Sequence, residues 1–135
     1  MDDMNQGEPF PTINASILLL ASDQLVRAVI QETLENQGYV VETASDLGTA
    51  VLRLRDLEPD LLIARTFVST MPGHDAAKYL RTKCPRMRVM IMGGYLDDDR
   101  LRYRESLEGF DVFPKPYSPA EFLEKVRAVL NAPPH

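Results

Sequence analysis

A chain of 135 residues has the length of one domain and can bury a hydrophobic core without disulfide or metal staples. Its formal charge of −5 argues against nucleic acid as the main partner, and its single cysteine, Cys84, excludes an internal disulfide framework and fits a reducing cytosol. The acidic start MDDMNQGEPFPT lacks the apolar stretch of a secretory signal, and no apolar run approaches bilayer length; the expectation is a soluble, cytoplasmic domain with no membrane partner.

Residues 1–14 are polar, carry Pro9 and Pro11, and read as a tail; a domain over 15–131 and a short tail over 132–135 follow. SILLLA, from Ser16 to Ala21, is an apolar run of strand length. DQLVRAVIQETLENQG reads as a helix with Asp23 as N-cap, a stripe of Leu25, Val26, Val29, Ile30 and Leu34, and a stop at Gly38. YVVETA is a second strand. DLGTAVLRLRDLEP repeats the device, with Asp46 as cap, a stripe of Leu47, Ala50, Val51 and Leu54, and Pro59 closing it. LLIA is the third strand, and HDAAKYLRTKCP is a helix ending near Pro85. VMIM, from Val89 to Met92, is the fourth strand, and DDDRLRYRESLEG is a charged helix ending at Gly109. DVFP is a short fifth strand, and SPAEFLEKVRAVL is a last helix with Ser118 as N-cap and Pro119 in its first turn.

Strands that alternate with helices predict an α/β fold: a doubly wound, five-stranded parallel sheet with helices on both faces. Right-handed crossovers favour the flavodoxin-like order 2-1-3-4-5, which puts a site at the carboxyl ends of the strands. Those ends supply Ala21, Ser22 and Asp23; Arg65, Thr66 and Phe67; Gly93 and Gly94; and Lys115. No glycine cluster follows the first strand, so a dinucleotide or P-loop site is excluded. Cys84 falls at the far end of the sheet, where neither His74 nor His135 is placed to activate it as a nucleophile.

The segments ILLLASDQLVRAVIQETLENQGYVVETASDLGTAVLRL, PDLLIA, MPG and FPKPYSPAEFLEKVRAVL together resemble response-regulator receiver domains, the CheY-like modules of bacterial two-component signalling. The resemblance runs from about Ser16 to Leu130. It implies an acidic pair after strand one that holds magnesium with an aspartate after strand three. That aspartate takes a phosphoryl group from a histidine kinase, and a hydroxyl residue after strand four and the lysine of a Lys-Pro pair contact the phosphate.

Carried over residue by residue, the machinery is mostly replaced. Counting from LVR, the acidic pair falls on Ala21 and Ser22, with Asp23 adjacent. Counting forward from PDLLIA, the phosphoacceptor position is Arg65; counting back from MPG, it is Val68. Pro59 and Pro72 stand 13 positions apart, where the family pattern has about ten, so the loop carries an insertion around Thr66, Phe67 and Val68. The hydroxyl position matches Gly93 and the aromatic switch position matches Val112, and Lys115 alone is retained. Magnesium requires oxygen ligands, typically including carboxylates, and two cations about 4 Å apart repel by about 4 kcal/mol at an effective dielectric of about 20. Arg65 is therefore expected to find an anion, lean on Asp23 or turn to solvent.

Other candidates have plainer readings. Asp97, Asp98 and Asp99 form a helix cap more readily than a metal cluster. Arg100 to Arg104 are interleaved with acids, as on a solvated helix face. Ser69 and Thr70 could take phosphate from another kinase, but surface hydroxyls are too common to single out. Tyr103, Phe113 and Tyr117 mark the partner face that the resemblance implies.

The reading is a stand-alone, degenerate receiver that is not an enzyme, needs no metal or cofactor, and acts by protein–protein interaction. Its expected partners are a histidine kinase or output protein, or a second copy in a homodimer. The alternatives are a small-molecule or anion sensor using Arg65 and Lys115 beside Ser22 and Gly93, and an active phosphoacceptor with a shifted pocket.

Overall fold

The computed structural model describes residues 15–65, 67–92 and 118–131, and the backbone of 111–113. Four strands build a parallel sheet: β1 (Ser16–Leu20), β2 (Val40–Ala44), β3 (Leu61–Arg65) and β6 (Arg88–Met92). Their order is β2-β1-β3-β6, the one expected for the first four strands. Ile17 lies opposite both Val41 and Leu61, and Ile63 lies opposite Met90. Beyond β6, β7 (Asp111–Phe113) pairs in parallel with Met90–Met92.

A strand buried on both faces must be apolar at every position, and the LLL and LLIA runs meet that condition. Alternation then divides them. Leu18, Leu20, Leu62, Ala64, Val89 and Ile91 face Ala50 of α2 (Leu47–Arg53) and Ala76, Ala77 and Leu80 of α3 (Gly73–Lys83). Ile17, Leu19, Leu61, Ile63, Met90 and Met92 face Ile30 and Leu34 of α1 (Gln24–Glu35) and Phe122, Val126 and Val129 of α4 (Pro119–Asn131). The sheet therefore has a packed helical layer on each side.

The helix starts lie where their capping residues put them. Asp23 Oδ1 accepts the Val26 N–H at 3.0 Å, and Asp46 Oδ1 accepts the Thr49 N–H at 2.7 Å. Ser118 and Glu121 form a reciprocal capping box, at 3.1 and 3.0 Å. Past α1, the reversal into β2 passes through Gly38 at φ 95°, a left-handed conformation that glycine adopts without a Cβ clash.

Three expectations need correction. Leu25 and Val29 are 73% and 56% exposed, so the α1 stripe that packs the core is narrower: Ile30 and Leu34, with Val26 partly buried against them. α2 stops at Arg53 rather than running towards Pro59; the Leu54 N–H bonds back to Ala50 O, and the next residues form a turn. The insertion after β3 is not irregular, because β4 (Phe67–Val68) and β5 (Met71–Pro72) pair antiparallel as a hairpin. The charged helix over 97–109 lies outside the described residues.

Candidate functional site

The carboxyl ends of β1 and β3 meet where the sequence places the site. Ala21 is fully buried, its N–H bonded to Ala44 O at 3.1 Å, which extends the β1 ladder by one residue. Ser22 and Asp23 then emerge to solvent, and Asp23 uses one carboxylate oxygen to cap α1. Arg27, one turn into that helix, reaches back over the strand end: its Nη1 donates to Ala21 O at 2.8 Å and to Ser22 O at 3.5 Å.

Arg65 is the last residue of β3, paired opposite Met92, and so lies within the strand rather than beyond it. It is half-buried, and among the described residues no ion pair joins it to Asp23. Val68, the position given by the other register, is 4% exposed and packs with Ala64, Ala44 and Ala50. The two registers thus land on chemically opposite positions, a half-buried cation and a core aliphatic.

The hairpin closes over this edge. Val68 and Met71 are partners, so Ser69 and Thr70 form a two-residue connection, with Ser69 at φ 60°. Positive φ in a two-residue hairpin connection is a position where glycine is usual. The turn aims the Ser69 N–H at Ser22 Oγ, 3.1 Å away. The hairpin is thereby tied to the segment that follows β1. Phe67, on the hairpin's other face, is 55% exposed.

Arg27 and the Ser22–Ser69 tie were missed by sequence reasoning. Arg27 follows Asp23 by four positions, which puts it on the same side of α1 and was a usable signal; nothing in the sequence pairs Ser22 with Ser69. Of the remaining site positions, Thr66, Gly93, Gly94, Lys115, Tyr103, Tyr117 and His135 lie outside the described residues, as do Asp97–Asp99, Arg100–Arg104 and the side chains of Val112 and Phe113. Among the described residues, no group of three or more His, Cys, Asp or Glu side chains is arranged to hold a metal.

The two remaining titratable candidates sit away from each other. His74, in the first turn of α3, is buried, with Nδ1 3.1 Å from Asp75 Oδ1. Cys84 caps the other end of the same helix; burial, then the nearby Glu58 carboxylate, push its thiol pKa up, so it is a poor nucleophile at neutral pH.

Residues 17–127 match the response regulator receiver domain family. The chain belongs to that family. Its curated relatives include the transcriptional regulatory protein CpxR of Escherichia coli, 32% identical over 115 residues, covering 85% of this chain and 49% of the relative. The alkaline phosphatase synthesis transcriptional regulatory protein PhoP of Bacillus subtilis is 26% identical over 119 residues, covering 88% of this chain and 50% of the relative. This receiver domain thus spans about half the length of those relatives. Among solved structures, the chemotaxis protein CheY4 of Vibrio cholerae superposes with a TM-score of 0.76 at 21% identity, over 85% of this chain and 98% of that one. That likeness establishes the CheY-like fold: a parallel central sheet with helices packed on it. No helix among the described residues is long and apolar enough to cross a membrane.

Proposed function

We propose that this receiver domain is a degenerate one, a cytoplasmic signalling module that takes no phosphoryl group at the usual position. In this reading it acts through protein contacts, with a kinase, an output protein or a second copy, and catalyses nothing. The full receiver then has five parallel strands in the order 2-1-3-4-5, with β7 as the fifth.

The observation that carries the reading is the hairpin tied to Ser22 at 3.1 Å. It spends the one hydroxyl at the acidic-pair positions on a backbone N–H. The residues around it do not fit magnesium. Ala21 brings no donor side chain, and its carbonyl already accepts the Arg27 guanidinium. Asp23 commits one oxygen to Val26. Arg65 brings a positive charge to the position where a carboxylate would have to stand. Magnesium keeps near-octahedral oxygen coordination with one or two carboxylates beside phosphate, and this donor set supplies at most one.

A second reading, an anion or small-molecule sensor, is favoured by the half-buried Arg65 at an edge where Ser22 is exposed, with Lys115 as the second cation. Calorimetric titration decides between them and a phosphorylatable domain. Magnesium with beryllofluoride should give no heat of binding to wild type or to Arg65→Asp, since a single restored carboxylate leaves Ala21 and Ser22 unchanged. Saturable binding by wild type would overturn the degenerate reading. Binding of phosphate or sulfate that Arg65→Ala abolishes would favour the sensor.

A further inference from the structure

β2 ends the sheet on one side: β1 pairs with its inner edge, and among the described residues no strand pairs with its outer edge. Alternation divides its backbone groups between the two. The Val40 N–H donates to Ala15 O at 2.9 Å, and the Ala44 carbonyl accepts the Ala21 N–H at 3.1 Å. Val40, Glu42 and Ala44 therefore spend their groups on β1, while Val41 and Thr43 turn theirs outward. The stretch YVVETA is suited to pair there, being rich in β-branched residues with a single charge. An open edge of that kind is a template for another chain.

Two side chains stand at this edge. Arg53, the last residue of α2, crosses to it, and its Nε donates to Thr43 O at 3.0 Å. The Glu42 carboxylate lies 4.0 Å from the same Nε, and both side chains are about half exposed. A second copy that paired its own β2 here, antiparallel about a two-fold axis, would set Val41 of each copy opposite Thr43 of the other. The Val41 N–H then needs the Thr43 carbonyl as its acceptor, and Arg53 already fills that carbonyl. The same register sets the two copies of Glu42 directly opposite each other, with Cβ atoms about 5 Å apart, where like charges destabilise a strand pair.

We propose that Arg53 and Glu42 close the outer edge of β2 to a second copy of this chain, Arg53 by occupying the Thr43 carbonyl and Glu42 by facing itself across the axis. A homodimer of this domain then forms through another face. Closure of this edge is independent of whether the carboxyl ends of β1 and β3 take a phosphoryl group.

The test follows the Val41 and Thr43 amide signals of the full chain over a range of protein concentrations. In wild type they should stay in place. With Arg53→Ala and Glu42→Thr together they should shift as concentration rises and exchange with solvent more slowly. Arg53→Lys in place of Arg53→Ala should return them to the wild-type pattern, because a lysine on a strand edge keeps other strands off. Should the first pair of substitutions unfold the chain, Arg53→Met with Glu42→Gln removes both charges with less change of shape and carries the same expectation. Concentration-dependent shifts of these two signals in wild type would overturn the proposal. So would a folded double variant in which they never move, or one that associates while only signals elsewhere move. A lysine variant that associates as the alanine one does would overturn the role given to Arg53.

Discussion

Arg65 and Ser22 carry opposite parts of the candidate site: one brings a positive charge to the end of β3, the other brings a hydroxyl already accepting a hydrogen bond. The position of Arg65 was legible from PDLLIA, but its inclusion in β3 was not, because a strand's last residue looks the same as a loop's first in sequence. Asp46 shows a residue whose role was legible in full. The Thr49 N–H holds its carboxyl below the usual value of 3.8, with the Thr49 and Ser45 hydroxyls adding to the effect. A carboxyl depressed in the folded state contributes stability that is present above its unfolded pKa and is lost as pH falls through the folded value. Thermal melts of wild type and Asp46→Asn should therefore converge as pH drops below 3.8, because asparagine keeps the cap without the charge. A constant gap between the two across acid pH would contradict the role given to the carboxylate.

The β4–β5 hairpin is the element that the sequence hid. FVSTMP offers neither the Asn-Gly nor the Gly-X pair that marks a two-residue turn, and strands of two residues are too short to show alternation. What appeared in sequence was a length mismatch between PDLLIA and MPG. Within that stretch the structure pairs Phe67 with Pro72 and Val68 with Met71, so the chain folds back on itself. The hairpin's turn makes a sharp prediction. Ser69 at φ 60° costs a side chain about 1–2 kcal/mol, and a β-branched residue is a worse occupant still. Ser69→Gly should leave urea stability about unchanged, relief of strain offsetting the added freedom of the unfolded chain. Ser69→Val should lower it by about 1–2 kcal/mol. Equal stability of the two variants would mean that the turn does not hold the left-handed conformation. On α1, by contrast, periodicity overreached: Leu25 and Val29 fit a helical stripe, yet they face solvent while Ile30 and Leu34, with Val26 partly, pack the core.

For the whole molecule, the alternation of apolar runs with capped helices was sufficient to read the parallel sheet and its two helical layers, because a strand covered on both faces has no polar position to disguise it. The site was half legible. Counting led to Ala21, Ser22 and Arg65, which the fold does place at the carboxyl ends of β1 and β3, whereas the tie between Ser22 and Ser69 joins residues 47 positions apart, and only the fold brings them together. The central claim, a receiver shape without phosphotransfer, is a statement about the whole chain. Its most direct measurement is intact mass after incubation of the purified protein with magnesium and acetyl phosphate. Wild type and Arg65→Asp should gain no phosphoryl group, because in the proposed reading Ala21 and Ser22 stand where the metal-holding acidic pair would be. A stoichiometric, acid-labile phosphoryl adduct on an aspartate of the wild-type chain would contradict the account.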